Sequence, residues 1–429
     1  MRVGQLIKME RQRNNMKQED LAKGICSPSY LSKIESGSAI PGGDIQRLLL
    51  LRLNISYKKS YAGPSSDEFS HFSERNKKIL NRRDKVNADL LCKDIRFFLE
   101  EHPLYQHRIS LFIMETRLML MTSSDLSIVK MNTSILIAMQ DEMEHHQLFQ
   151  LYLIKGILAY LENRFTNALQ IFEDAYMLTS KFRIEDWEFA ELHYILSLAA
   201  LSDYRYISAI DHVQEALSYF NTKMLAKRSI ECLLVLGIAK KHIGNADDAL
   251  ITFEKAKEIT MNTEDYESLG MIEQNLGACH SLLKNSKRSL EHFNKSLDLK
   301  ADPNEKIVTI LSIVKEYSKL GNIENTKNWL NKGGALLKQL NAQNKSLNFY
   351  HFSVYKALIY NDKALVSIFD SALKYFESKQ NYYQCFIYCN ILAKELSKNS
   401  QFKLATTYYQ KAFDYHIKHQ KVQHWEELT

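Results

Sequence analysis

Ser29, Tyr30, Ser32 and Lys33 fall within five residues, three hydroxyls and an ammonium around the apolar Leu31. In a helix, Leu31 and Ile34 turn inward and the four polar groups turn out together. Groups displayed in this way can hydrogen-bond the edges of base pairs. Lys17, Gln18 and Ser27, just upstream, offer donors to phosphate oxygens. A second set carries amides and cations: Gln274 and Asn275 stand side by side, Asn390 recurs downstream, and Lys241 and Lys315 flank the amide pair. An Asn or Gln amide donates at one end and accepts at the other, which suits the N–H and C=O of an extended peptide. Nearby lysines favour an acidic side chain or a free carboxylate.

Catalytic patterns are missing. The sequence has no GxxxxGK[ST] phosphate loop, no GxGxxG after a strand, no HExxH and no nucleophile elbow. Neither an enzyme nor a cofactor is expected. Glu142-Met143-Glu144-His145-His146 reads as a solvated helix start rather than a metal site, and Cys385 and Cys389 read as buried thiols rather than metal ligands.

The elements that must position the first set are short. Residues 2–14 form a helix with Val3, Leu6 and Ile7 on one face, and Gln18 to Lys23 form a second that ends at Gly24. Ser27-Pro28 gives an N-cap and a proline at the first position of a third helix, which stops before Ser36-Gly37. A fourth runs from Ile45 to Leu53 after Pro41-Gly42-Gly43. This is a helix-turn-helix pattern. Residues 1–60 hold eleven Lys or Arg and five Asp or Glu, a net of +6, which is also the charge of the whole 429-residue chain. All the excess positive charge therefore lies where phosphate would be met.

The second set is positioned by repeats. Gly237, Ala249, Phe253 and Ala256 recur at identical offsets as Gly277, Ser289, Phe293 and Ser296. Small residues let paired helices approach and the Phe fills the space between them, a unit that must stack on its neighbours. Upstream lie Gly156, Ala168, Phe172, Ala175 and then Ser197, Ala209, Val213, Ala216. Downstream the pattern decays through Val314 and Ser353 to Ala393 with Ala405, Tyr409 and Ala412. The second small positions step by 41, 40, 40, 37, 39 and 40 residues, longer than the ~34 of an ordinary tetratricopeptide unit. The first helix of each pair lines the groove, which places Tyr194 there, then Glu231, Leu234, Ile238 and Lys241, then Gln274, Asn275 and Ala278, then Leu311 and Lys315, and finally Asn390.

With only 5 Pro and 14 Gly, the expected fold class is all-α. The boundaries are a helix-turn-helix domain at 1–56, a polar linker at 57–74, a helical stretch at 75–145 that is either degenerate repeats or a separate bundle, and a right-handed tetratricopeptide-repeat superhelix at 146–429. No apolar run approaches the ~18 residues of a membrane span. The charged N-terminus lacks the centre of a signal peptide, and six unpaired cysteines fit a cytoplasmic protein.

Arg11, Gln18, Leu21-Ala22, Ser32-Lys33-Ile34-Glu35, Gly37 and Pro41 resemble the Cro/C1-type helix-turn-helix family. That resemblance implies a pair between Arg11 and Glu35 and a phosphate contact from Gln18. Such a domain followed by long-period repeats resembles, over the whole chain, the peptide-pheromone receptors of the Rap/NprR/PlcR/PrgX family, and in length its NprR branch. The resemblance implies a cytoplasmic homodimer or higher oligomer that binds double-stranded operator DNA and a short signalling peptide, with Asn275 on the peptide backbone. It also implies an alternative: a Rap-like adaptor that binds a phosphorelay response regulator and inhibits phosphotransfer. The dimer surface is expected in the divergent repeats, 314–420.

Overall fold

The structure, a computed structural model, describes residues 3–55 and 66–420, apart from 104, 123–124, 264, 341 and 362. The described residues fold as helices and turns without strands. Two compact units result, Met1–Ile259 and Thr260–Thr429.

In the first unit, α1 (Val3–Arg13), α2 (Gln18–Ala22), α3 (Pro28–Glu35) and α4 (Gly43–Arg52) close over Leu6, Ile7, Leu21, Leu31, Ile34 and Leu49. Ser27 caps α3 by accepting from Tyr30 N at 3.1 Å, and Pro28 takes the position where its missing N–H costs nothing. Gly24, at φ +73°, reverses the chain between α2 and α3 in a conformation that strains other residues. Gly4 packs where a Cβ would strike the Ile34 carbonyl, which brings α1 hard against α3.

Next come α5 (Ser66–Arg82), α6 (Lys85–Glu101), α7 (Arg108–Thr122) and α8 (Ser127–Ile137). Residues 66–74, the latter half of the stretch read as linker, are already in α5; 56–65 lie outside the described residues. Helix α7 is buried almost all round and shares one core with α5, α6 and α8. Their core continues into Leu151 and Ile154 of the first repeat and takes in Met9 of α1.

Repeat pairs follow: α9 (His145–Leu161) with α10 (Phe165–Leu178), α11 (Asp186–Ser202) with α12 (Tyr206–Thr222), and α13 (Ala226–His242) with α14 (Ala246–Thr263). The second unit holds α15 (Tyr266–Leu282) with α16 (Ser286–Leu299), α17 (Pro303–Lys319) with α18 (Ile323–Leu336), α19 (Ala342–Tyr360) with α20 (Leu365–Ser378), and α21 (Tyr382–Lys398) with α22 (Phe402–Gln420). Six of the seven pairs fall where the small–large–small frame requires. A Cβ at Gly237 would lie 2.5 Å from the Phe253 ring, and one at Gly277 would lie 2.6 Å from Phe293. The long period resides largely in the helices: the first helix of six of the seven pairs has 17 residues. In the last pair the buried aromatic is Tyr408, bonded to Asp370 at 2.8 Å, and Tyr409 is exposed. The divergent sequence concealed a slip of one residue.

Among the described residues, no helix is long and apolar enough to cross a membrane, and no three His, Cys, Asp or Glu side chains cluster as metal ligands. Burial pushes the thiols of Cys385 and Cys389 up to about 12.

Candidate DNA interface and peptide groove

Ser29, Ser32 and Lys33 stand exposed on α3, with Lys17 and Ser27 exposed beside them. Beneath this face, Arg11 donates to Glu35 through Nε at 2.7 Å and Nη2 at 2.9 Å, while its Nη1 reaches Met16 O at 2.8 Å. Glu35 is buried and fully engaged, because Gln18 Nε2 also donates to it at 2.7 Å. Gln18 is thus tied to the ion pair by one of its two amide hydrogens. Tyr30 is half-buried, with its hydroxyl donating to Ile40 O at 3.4 Å. Ser27 uses its hydroxyl oxygen as the N-cap of α3. Ile40, 92% exposed in the turn after α3, is an apolar group at the same face that sequence reasoning missed; its polar, glycine-rich surroundings read only as a turn.

Helix α1 holds this domain to the bundle. Arg108 Nη2 donates to Glu10 at 2.6 Å, Arg13 lies over the Phe112 ring, Lys8 donates to Ala138 O at 2.7 Å and Gln5 donates to Glu142. The Glu142–His146 segment is thereby dispersed: Glu142 meets Gln5, Glu144 caps α9, and His146 faces Glu188 at 2.8 Å.

In the first unit, Glu231, Leu234, Ile238 and Lys241 form one half-exposed stripe along α13. Tyr194 does not line an open surface. It is 8% exposed because Arg228, at 4.5 Å, and Arg83, at 5.4 Å, cover its ring. Around it is a charged cluster that the sequence did not disclose. Glu191 accepts from Arg228 at 2.6 Å, Arg117 at 2.9 Å and Arg83 at 3.2 Å, and Glu231 lies 3.4 Å from both Arg83 and Arg228. Burial alone would raise the Glu191 pKa, but the three guanidiniums hold it well below the usual carboxylate range. The available signal was Arg117 and Arg228 within apolar helices, a weak one because arginine stems often cover apolar surface, and Arg83 stands in the turn between α5 and α6.

In the second unit, Gln274, Asn275 and Ala278 form a half-exposed stripe on α15. Gln274 Nε2 donates to Ser312 Oγ at 2.8 Å, so this amide bridges α15 and α17. Asn275 Nδ2 donates to Met271 O at 3.0 Å, and Asn390 repeats the arrangement with Phe386 O at 2.9 Å. Leu311 is buried; Lys315, one turn on, is half-buried. Burial pushes the pKa of Lys315 down to about 8, with Lys319 adding to the effect.

Residues 7–58 match a helix-turn-helix family and residues 229–302 a tetratricopeptide-repeat family. The Geobacillus stearothermophilus transcriptional activator NprA is 27% identical over 403 residues, covering 92% of this chain and 98% of that protein. This whole-length likeness supports an affiliation with the Rap/NprR/PlcR/PrgX quorum-sensing regulators. The apo quorum sensor NprR from B. thuringiensis matches 82% of the chain and 99% of its own, with a TM-score of 0.70 at 18% identity. A Rap protein complexed with competence and sporulation factor matches 83% and 99%, with a TM-score of 0.70 at 16% identity. At these identities the structural likeness establishes the shared fold. NprA is a transcriptional activator, and NprR is a quorum sensor.

Proposed function

We propose that the protein is a cytoplasmic transcriptional regulator that binds double-stranded operator DNA through α2 and α3 and is switched by a short signalling peptide in the repeat groove. The observation that carries this reading is the exposed Ser29, Ser32 and Lys33 face in a segment holding all the chain's excess charge. One such domain reads few base pairs, so the active form is a homodimer or higher oligomer joined through 314–420. The peptide reading draws on the NprR structure solved with its cognate peptide NprX, 16% identical with a TM-score of 0.63, and on the amides of Gln274, Asn275 and Asn390. The full chain should retard duplex DNA, and a chain beginning at residue 61 should not; retardation by the shorter chain would overturn the assignment.

A second reading is favoured by one feature of the bundle. Val86, Leu90 and Phe97 form an exposed apolar stripe on α6, with Val86 73% and Phe97 68% exposed. Such a surface would suit a Rap-like adaptor that binds a response regulator and inhibits phosphotransfer. Phe97→Ser should abolish that inhibition while leaving DNA retardation intact.

A further inference from the structure

Lys315 is a half-buried cation with no anion. The charge that acts on it is the cationic Lys319, and among the described residues no carboxylate forms an ion pair with it. Glu316 follows it in sequence but turns to a different side of α17. There its carboxylate accepts from Ser281 Oγ at 2.5 Å, Ser286 Oγ at 2.6 Å and Lys319 Nζ at 3.3 Å. His351 of α19 lies close to Lys315, and burial first and Lys315 second push its pKa down to about 3. His351 Nδ1 and the Tyr388 hydroxyl share a hydrogen bond, so at neutral pH the ring is uncharged and supplies no counter-ion. Tyr355 and Tyr388 are held protonated by burial. A half-buried ammonium beside a second cation is unfavourable to the fold until a carboxylate joins it.

A second deficit lies within one helical turn. Gln274 spends its amide hydrogen on Ser312, three residues before Lys315, and its buried Oε1 has no donor. A buried acceptor without a donor is disfavoured in the same way, and an incoming N–H would satisfy it. Residues three apart on a helix are neighbours, so the two needs can be met by one small group.

We propose that Lys315 and Gln274 together form a receptor for a carboxylate with an adjoining amide N–H, the carboxylate on Lys315 Nζ and the N–H on Gln274 Oε1. This rests on the peptide-binding reading and narrows it. The last residue of a peptide carries this pair of groups, and so does an internal Asp. The site therefore sets the register of the peptide, whereas an Asn on the backbone does not distinguish one residue from the next.

Two probes test the site in the full chain. The first is N-acetylglycine, with N-acetylglycinamide as the control that lacks the carboxylate, read by NMR of ¹³C-methylated lysines. N-Acetylglycine should raise the Lys315 pKa and the amide should not; the resonance is assigned by its loss in Lys315→Met. The second is a pool of random heptapeptides, with free or amidated C-termini, passed over immobilised protein and sequenced by mass spectrometry. Retention should fall about tenfold to hundredfold in Lys315→Met, and Lys315→Arg should recover part of it. Preference for the free-acid pool identifies the terminal carboxylate as the ligand group; equal retention with Asp enriched identifies the side chain. If Lys315→Met retains both pools as wild type does, the site is overturned and the peptide reading stands. If no peptide is retained but N-acetylglycine still shifts Lys315, the carboxylate site stands and the peptide reading fails. Neither retention nor shift overturns both.

Discussion

Asn275 spends Nδ2 on the carbonyl of Met271, four residues back on its own helix. On the peptide reading that bond is a holding position, exchanged for peptide backbone when ligand arrives. Asn275→Ala should then weaken a heptapeptide recovered from the pool by ~1–3 kcal/mol, tenfold to roughly a hundredfold, with little change in melting temperature. Calorimetric titration beside a melting curve separates this from a scaffold role, which would lower the melting point and spare affinity. His351 makes a prediction in pH. Its folded pKa of about 3 lies below the ordinary 6.5, so the unfolded chain takes up the proton first as pH falls. Its contribution to stability is whole above 6.5 and declines between 6.5 and about 3, by at most ~1.4 kcal/mol per pH unit. Between pH 7 and 5 the wild type should lose stability relative to His351→Gln. A constant difference across that interval would contradict the assignment. At this scale the sequence disclosed residue types but not their surroundings: Arg11 pairs with Glu35 as the resemblance implied and Lys33 is exposed, whereas the cover over Tyr194 and the unpaired ammonium of Lys315 depend on neighbours distant in the chain.

At the scale of elements, most of the fold was legible because each repeat writes its own packing rule. A Gly, and twelve and sixteen residues later a small residue and a Phe, describe two helices touching at one place. Gly237→Ala tests that rule: its Cβ would meet the Phe253 ring at 2.5 Å. The cost should be ~1–3 kcal/mol, read as a lower melting temperature that Phe253→Leu partly restores. An unchanged melting temperature in the single variant would show that the contact is slack. Legibility failed where the rule decays. In the last pair Tyr408 and Tyr409 are adjacent aromatics, and only packing against Asp370 selects Tyr408. Residues 75–145 were left ambiguous for a similar reason: α7 is buried almost all round and mixes apolar with charged residues, so its sequence carries no single face by which to choose a partner.

At the scale of the molecule, charge and architecture were read from the chain directly, and the whole-length likeness to an activator agrees with both. What the chain does not write down is its ligands, because operator and peptide are separate sequences that the protein meets only through surfaces. The central claim is that one polypeptide reads DNA at residues 1–56 and answers to a peptide bound in its repeats. Its most direct test is to sequence the duplexes that the full chain retains from a random pool, with and without the free-acid heptapeptide pool. Two half-sites related by a two-fold axis should be enriched, with their recovery altered by peptide and lost for the chain beginning at residue 61. Retention without enrichment, or the same enrichment from the shortened chain, would contradict the account.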